Sequence, residues 1–237
     1  MSADAIIATW SRQDVLFLAG LSFFFTLLWH LPVVGLLFYP FRLLNTFVHE
    51  LSHGLAAILT GGQFLRFVVH PNRDGLALTR GGSRFVVVSA GYLGPAVFGG
   101  ALILLSATGL AVTTILLGLG GALALLCLGF VRNLFGFTAG LLLALGLGLA
   151  GWYLPERQAT LLFALLAMQL PMDAVNSLVD LIRLSLRPAR GGQLTDAQVM
   201  ARDTRIPAVL WALLWLLTAL AIVVLTVAVA FRDTYLF

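Results

Sequence analysis

The sequence predicts an all-α polytopic membrane protein of about seven transmembrane helices, with a short membrane-associated β-hairpin after the second. Three observations carry this. Of 237 residues, 60% are hydrophobic and only 10% charged, against about 45–50% and about 25% in ordinary soluble domains. The mean hydropathy is +1.02, too high for a chain that must coat itself with polar surface. Apolar runs long enough to span a bilayer, about 20 residues each, recur along the chain and are separated by short polar breaks. The chain is most simply one membrane domain, 1–237.

The spans run approximately 15–39, 41–60, 85–107, 110–130, 133–153, 158–185 and 205–231. Pro40 and Arg42 separate the first two; Thr108–Gly109, Arg132–Asn133 and Pro155–Glu156–Arg157 mark tight turns further on. The second span is the least apolar. Gly91, Gly94 and Pro95 either break the start of the third span or mark a packing kink. The sixth carries Asp173, Asn176 and Asp180 inside an apolar run. Residues of about 64–80 alternate apolar and polar around Asn72-Arg73-Asp74-Gly75, and Asp-Gly between β-prone runs is a hairpin signal, with strands near 64–70 and 75–80. Residues of about 186–204 form a polar loop in which Thr195 is placed to cap a helix starting at Asp196. No internal repeat is evident. The single cysteine, Cys127, excludes an internal disulfide and a cysteine-based zinc cluster.

Charge sets the orientation. All 14 basic residues are Arg, and nearly all lie between apolar runs, which reads as topology and not as a nucleic-acid footprint. With seven spans, 11 of them fall on one side and 3 (Arg42, Arg157, Arg232) on the other. The N-terminus is therefore expected in the cytoplasm and the C-terminus outside.

Chemistry concentrates in the second span, at His49-Glu50-Leu51-Ser52-His53. On a helix, positions i and i+4 share a face, so His49 and His53 can hold one metal ion. Glu50, beside them, can take a proton from a water that zinc acidifies, which predicts amide hydrolysis. Ionisable residues in an apolar helix are costly and usually face a polar cavity or a partner; a hydrogen-bonded cluster gluing helices is the plain alternative.

Catalytic zinc takes three protein ligands and leaves the fourth position open. The remaining histidines are His30, in the first span, and His70, in the hairpin. A carboxylate is the better candidate, and the sixth span offers two on one face. Asp180 is placed near the cytoplasmic end and Asp173 about 10 Å deeper, with the histidine pair between them in depth. Asp180 is the expected third ligand and Asp173 the alternative; a salt bridge to Arg183 or Arg187 is the competing role for Asp180. Asn176 is a candidate for positioning substrate, with a plain interhelical hydrogen bond as its alternative.

These residues, with the VHELSHGLAAILTGG, SAGYLGPAVFGG, NSLVDL and TDAQVMARDTRIPAVLWALLW blocks, resemble the site-2 protease group of zinc intramembrane metalloproteases, and more closely its compact bacterial peptidase-like branch. The resemblance covers most of the chain. It implies one zinc ion in a cytoplasmic-facing site within the membrane, held by His49, His53 and an Asp of a later span, with Glu50 as catalytic base. It implies a bacterial plasma-membrane location, a bilayer and a membrane-protein substrate as partners, and cleavage of a transmembrane segment near the cytoplasmic face. An exposed hairpin edge, within 64–69 or 75–79, would hold the unwound substrate by strand addition; a simple amphipathic interfacial turn is the plain alternative. The chain departs from the group where Leu178-Val179-Asp180-Leu181 lacks the glycine and prolines of the usual stretch. A non-catalytic membrane scaffold or regulator that keeps the fold is the alternative reading. A metal-gated transporter is weaker, because paired broken helices and repeats are not seen.

Overall fold

The computed structural model describes Gly20, Phe24 and residues 36–106, 108–186 and 194–230. The first predicted span lies outside the described residues except for Gly20, Phe24 and 36–39. Along the rest of the chain the elements are α1 (Tyr39–Leu59), β1 (Gln63–Val69), β2 (Gly75–Arg80), α2 (Arg84–Ser106), α3 (Val112–Phe130), α4 (Leu134–Tyr153), α5 (Glu156–Ser185), α6 (Asp196–Thr204) and α7 (Ala208–Ala230).

Five of these, α2, α3, α4, α5 and α7, are long and apolar enough to cross a membrane. Seven spans are thus not reached among the described residues. The helix α1 stands where the second span is expected, but Asn45, Thr46, His49, Glu50, Ser52 and His53 interrupt its apolar character. It begins at Tyr39, after helical residues 36–37 and a turn at Phe38, so Pro40 falls in its first turn, at the break between two helical stretches. A proline there loses nothing, because the first-turn N–H groups have no intrahelical acceptor.

The hairpin folds back along α1. Gly61, at φ +83°, turns the chain out of the helix. Strand β1 then pairs antiparallel with β2, from Gln63 opposite Arg80 to Val69 opposite Gly75, with a bulge between Phe64 and Arg66. The tip is closed locally: His70 N–H donates to Asp74 O (2.8 Å) and Arg73 N–H to His70 O (2.9 Å). Asn72 accepts from the Asp74 N–H at 3.2 Å, an Asx turn. The tip is tied to the first half of α1 by Tyr39 Oη donating to Pro71 O (2.9 Å) and Thr46 Oγ1 to Arg73 O (3.2 Å). The left-handed residue of the turn is Arg73, at φ +71°. Gly75 is the first residue of β2, and its lack of a side chain serves another purpose, given below.

One edge of the hairpin is closed. Phe67 bridges Val131, and Arg132 N–H donates to Phe67 O at 3.1 Å. Asn133 then imitates a strand with its side chain: Oδ1 accepts from Val69 N–H (3.1 Å) and Nδ2 donates to Val69 O (2.7 Å). Because successive residues of a strand point their backbone groups to opposite sides, Val68 and Arg66 face β2. The far edge of β2 presents Gly75, Ala77 and Thr79, and no strand covers it among the described residues.

The face of the hairpin toward the bundle is aromatic. Phe67 is buried edge-on to Phe47 of α1 (5.8 Å), and Phe64 stacks on Phe130 of α3 (4.5 Å). Helix α2 is central: it packs against α1, α5 and α7 and runs unbroken through Gly91, Gly94 and Pro95. The short α6 packs against α7 and the start of α2, burying Ala197 and Met200 in a cluster with Leu178, Leu181, Trp211 and Trp215.

Candidate metal centre

His49 and His53 project from one face of α1, as their spacing requires. Their Nε2 atoms stand 3.2 Å apart, with the rings nearly perpendicular at 80°. The carboxylate that joins them comes from α6. Asp196 Oδ2 lies 3.5 Å from His49 Nε2 and 3.5 Å from His53 Nε2. Among the described residues these three form the one group of histidine, cysteine or carboxylate donors close enough to share an ion.

Local structure fixes each donor. Asp196 is the first residue of α6, and Thr195 caps that helix in a reciprocal box: Thr195 Oγ1 accepts from Gln198 N–H (3.3 Å), and Gln198 Oε1 from Thr195 N–H (3.0 Å). Asp203, near the other end of α6, pairs with Arg84 at the start of α2. Trp211 Nε1 of α7 donates to Thr204 Oγ1 at 3.0 Å. His53 Nδ1 donates to Val87 O of α2 at 2.7 Å. A carbonyl only accepts, so Nδ1 carries the proton and Nε2 is the nitrogen left to bind an ion at the centre, the outer-shell arrangement that orients metal-ligating histidines. The ring of His49 is held edge-to-face by Tyr92, 4.8 Å away, and Tyr92 stacks on Trp215.

Two glycines leave room for these side chains. A Cβ on Gly91 of α2 would run into the Nε2 atoms of both His49 and His53. A Cβ on Gly75 would run into the carboxylate of Glu50. Glu50 is 4% exposed and close enough to His49, His53 and Asp196 to be coupled to them electrostatically.

The donors fit a zinc-like ion. A tetrahedral site with bonds of about 2.0–2.2 Å separates its donors by about 3.3–3.6 Å, and the observed triangle has edges of 3.2, 3.5 and 3.5 Å. Two imidazole nitrogens and a carboxylate oxygen converge on one point, a donor set that suits a cation. Burial by itself would push the Asp196 carboxyl up, but hydrogen bonds to His49 and His53 and their charge outweigh it and hold the group below the usual carboxylate range. Three protein donors leave a tetrahedral ion one open position, the pattern of catalytic sites.

The other sequence candidates lie elsewhere. Asp180 is exposed and pairs with Arg183 Nη1 at 3.0 Å, the competing role foreseen for it. Asp173 is 3% exposed and accepts from Gln169 Nε2 at 3.0 Å. Neither belongs to the histidine group. Asn176 sits on the same stripe of α5, its Nδ2 buried without a partner. His70 is exposed at the hairpin tip, and His30 lies outside the described residues. Asp196 is not among the sequence candidates for a third donor, because it lies in a polar segment and not in an apolar run. The cap at Thr195 was legible and marked Asp196 as a fixed first-turn carboxylate.

No curated protein and no solved structure matches the chain. The profile of the peptidase M50B-like family matches residues 17–226. That stretch takes in α1 with its histidine pair, the hairpin, and Asp196 on α6, so the donors and the elements that hold them all fall inside the match: the chain belongs to the peptidase M50B-like family.

Proposed function

We propose that the protein is a zinc-dependent intramembrane endopeptidase that cuts a transmembrane segment of another protein near the cytoplasmic face. The observation that carries this is the triangle of His49, His53 and Asp196 with the buried Glu50 beside it on the same helix. Membership of a peptidase family and the five apolar helices support it.

In this reading His49, His53 and Asp196 hold one zinc ion. When bound, zinc supplies Lewis acidity toward the scissile carbonyl and toward water. Glu50 acts as the base: it takes a proton from the attacking water and returns it to the leaving amine. Gly75 and Gly91 keep the space open in which Glu50 and the two imidazoles stand. Helical amides are internally bonded, so a substrate must unwind before it can be cut. The far edge of β2, at Thr79, is placed to receive an extended segment by strand addition, since the edge of β1 is taken by Val131–Asn133 and the Ala77 N–H is turned to Glu50.

The scaffold alternative rested on the atypical stretch at Leu178–Leu181. In this reading the third donor comes from α6, so that stretch need not carry a ligand and the feature that favoured the alternative carries less weight. The test is zinc per chain in the detergent-purified protein. About one zinc in the wild type, lost in His53→Ala and Asp196→Ala, is the expected result; a wild type that binds none when zinc is supplied would overturn the reading. The orientation, in a bacterial plasma membrane with the C-terminus outside, is checked separately by a reporter fused at Phe237.

A further inference from the structure

Four buried polar side-chain atoms lack a hydrogen-bond partner among the described residues, and three of them, apart from Ser185 Oγ, fall at neighbouring depths on α1 and α5. Asn45 Oδ1, Asp173 Oδ2 and Asn176 Nδ2 are closed off from the outside, and none has a hydrogen-bond partner among the described residues. Asp173 is 3% exposed, and its other oxygen is held by Gln169. Buried polar groups in native proteins are nearly always satisfied, and an ionisable residue among apolar helices is a functional-site candidate by default.

Helix rise places the three atoms in depth. Gly91 of α2 is level with His49 and His53, and Gly99 with Pro171 of α5. Eight residues of α2 separate those levels, about 12 Å. Asp173 therefore stands about 6–9 Å beneath the histidine pair, at the level of Asn45 and Thr46 of α1. The hairpin tip, tied to Thr46 through Arg73 O, reaches the same level. Asn176 lies one turn nearer the histidines, and Asn45 is one turn before His49 on the same side of α1.

The open valences define the occupant. Asn45 Oδ1 and Asp173 Oδ2 are unpartnered oxygens, whereas Asn176 Nδ2 is an unpartnered donor. Water, with two donors and two lone pairs, complements that set, and it needs 2–4 polar partners to be held. A peptide segment would require an open approach, and these atoms have none. We propose that Asn45, Asp173 and Asn176 hold internal water beneath the histidine pair, a store of solvent for hydrolysis inside the membrane. The role as a store rests on the hydrolytic reading of the centre; the binding of water does not.

The full chain in lipid nanodiscs, isotope-labelled at asparagine nitrogen, has four asparagine side chains: Asn45, Asn72, Asn133 and Asn176. Water-edited solid-state NMR then reports which of them touch water. Asn72 is the exposed reference, and Asn133, bonded to Val69 through both side-chain atoms, the shielded one. Asn45 and Asn176 are expected to gain water magnetisation several-fold faster than Asn133. Asp173→Leu should slow both, while the shape-conserving Asp173→Asn controls for misfolding and should leave water at Asn176. Zinc content should stay at the wild-type level in both variants. Rates at Asn45 and Asn176 no faster than at Asn133 would overturn the proposal, as would a shift of their signals that depends on sodium, which would identify a cation. Fast transfer in a protein that never binds zinc would uphold the water site and remove only its hydrolytic purpose.

Discussion

Asp196 Oδ2 stands 3.5 Å from His53 Nε2, although the two residues belong to opposite ends of the chain. One sits on a helix with a polar stripe along the bundle, the other on the first turn of a short helix outside the spans. The centre is therefore assembled only when α6 docks, and its metal affinity should report on that docking.

The first prediction separates the three aspartates. Asp196→Ala should lose zinc, measured by elemental analysis of the purified protein, whereas Asp180→Ala should keep the wild-type content. Asp173→Ala should also keep it, because that residue lies deeper on α5. Zinc lost with Asp180→Ala and kept with Asp196→Ala would reverse the assignment.

Glu50→Gln should retain zinc and lose cleavage by about 10²–10⁴-fold, the usual contribution of a positioned base. A membrane substrate that accumulates uncut with this variant and disappears with the wild type would supply the assay. Full activity in Glu50→Gln would sink the proposed role of this residue.

The two glycines make a paired test. Gly91→Ala brings a methyl against both imidazoles and should weaken zinc binding by about 10–100-fold, comparable to disturbing the outer shell of a metal site. Gly75→Ala presses on Glu50 and should leave zinc bound while lowering turnover. Equal zinc affinity in both variants would show that α2 yields at Gly91 more easily than the packing implies.

On β2, Thr79→Pro removes an N–H from the uncovered edge and leaves the ladder to β1 in place. It should reduce cleavage with zinc content unchanged. Val68→Pro, by contrast, deletes a group that faces β2 and should disturb the hairpin itself, seen as lower thermal stability. Unchanged cleavage in Thr79→Pro would remove strand addition from the mechanism.

The Arg84–Asp203 pair tests whether docking of α6 sets the metal affinity. The pair is partly exposed, and such pairs contribute about 0.2–1 kcal/mol. Asp203→Asn should therefore weaken zinc binding by no more than roughly fivefold, and exchanging the two charges should restore part of the loss. No change in zinc affinity, measured by competition with a chelator, would show that Ala197, Met200 and the Thr204–Trp211 bond hold α6 without it.

The apolar character of the chain, the position of five spans and the hairpin are legible in the sequence, because hydropathy and period are local properties of the chain. The sequence also determined His49, Glu50 and His53 as a chemical unit, since an i, i+4 pair meets on any helix. What local pattern does not encode is which distant residue arrives opposite that pair. Asp180 and Asp173 share a face of α5, but about two turns of rise separate them, so one stands exposed near the helix end beside Arg183 and the other is buried deeper in the bundle. Asp196 reaches the centre because α6 is clamped between α2 and α7. The Asp-Gly step shows the same division. It marked the hairpin, yet only packing revealed that Arg73 makes the turn and that Gly75 is small because Glu50 needs the room.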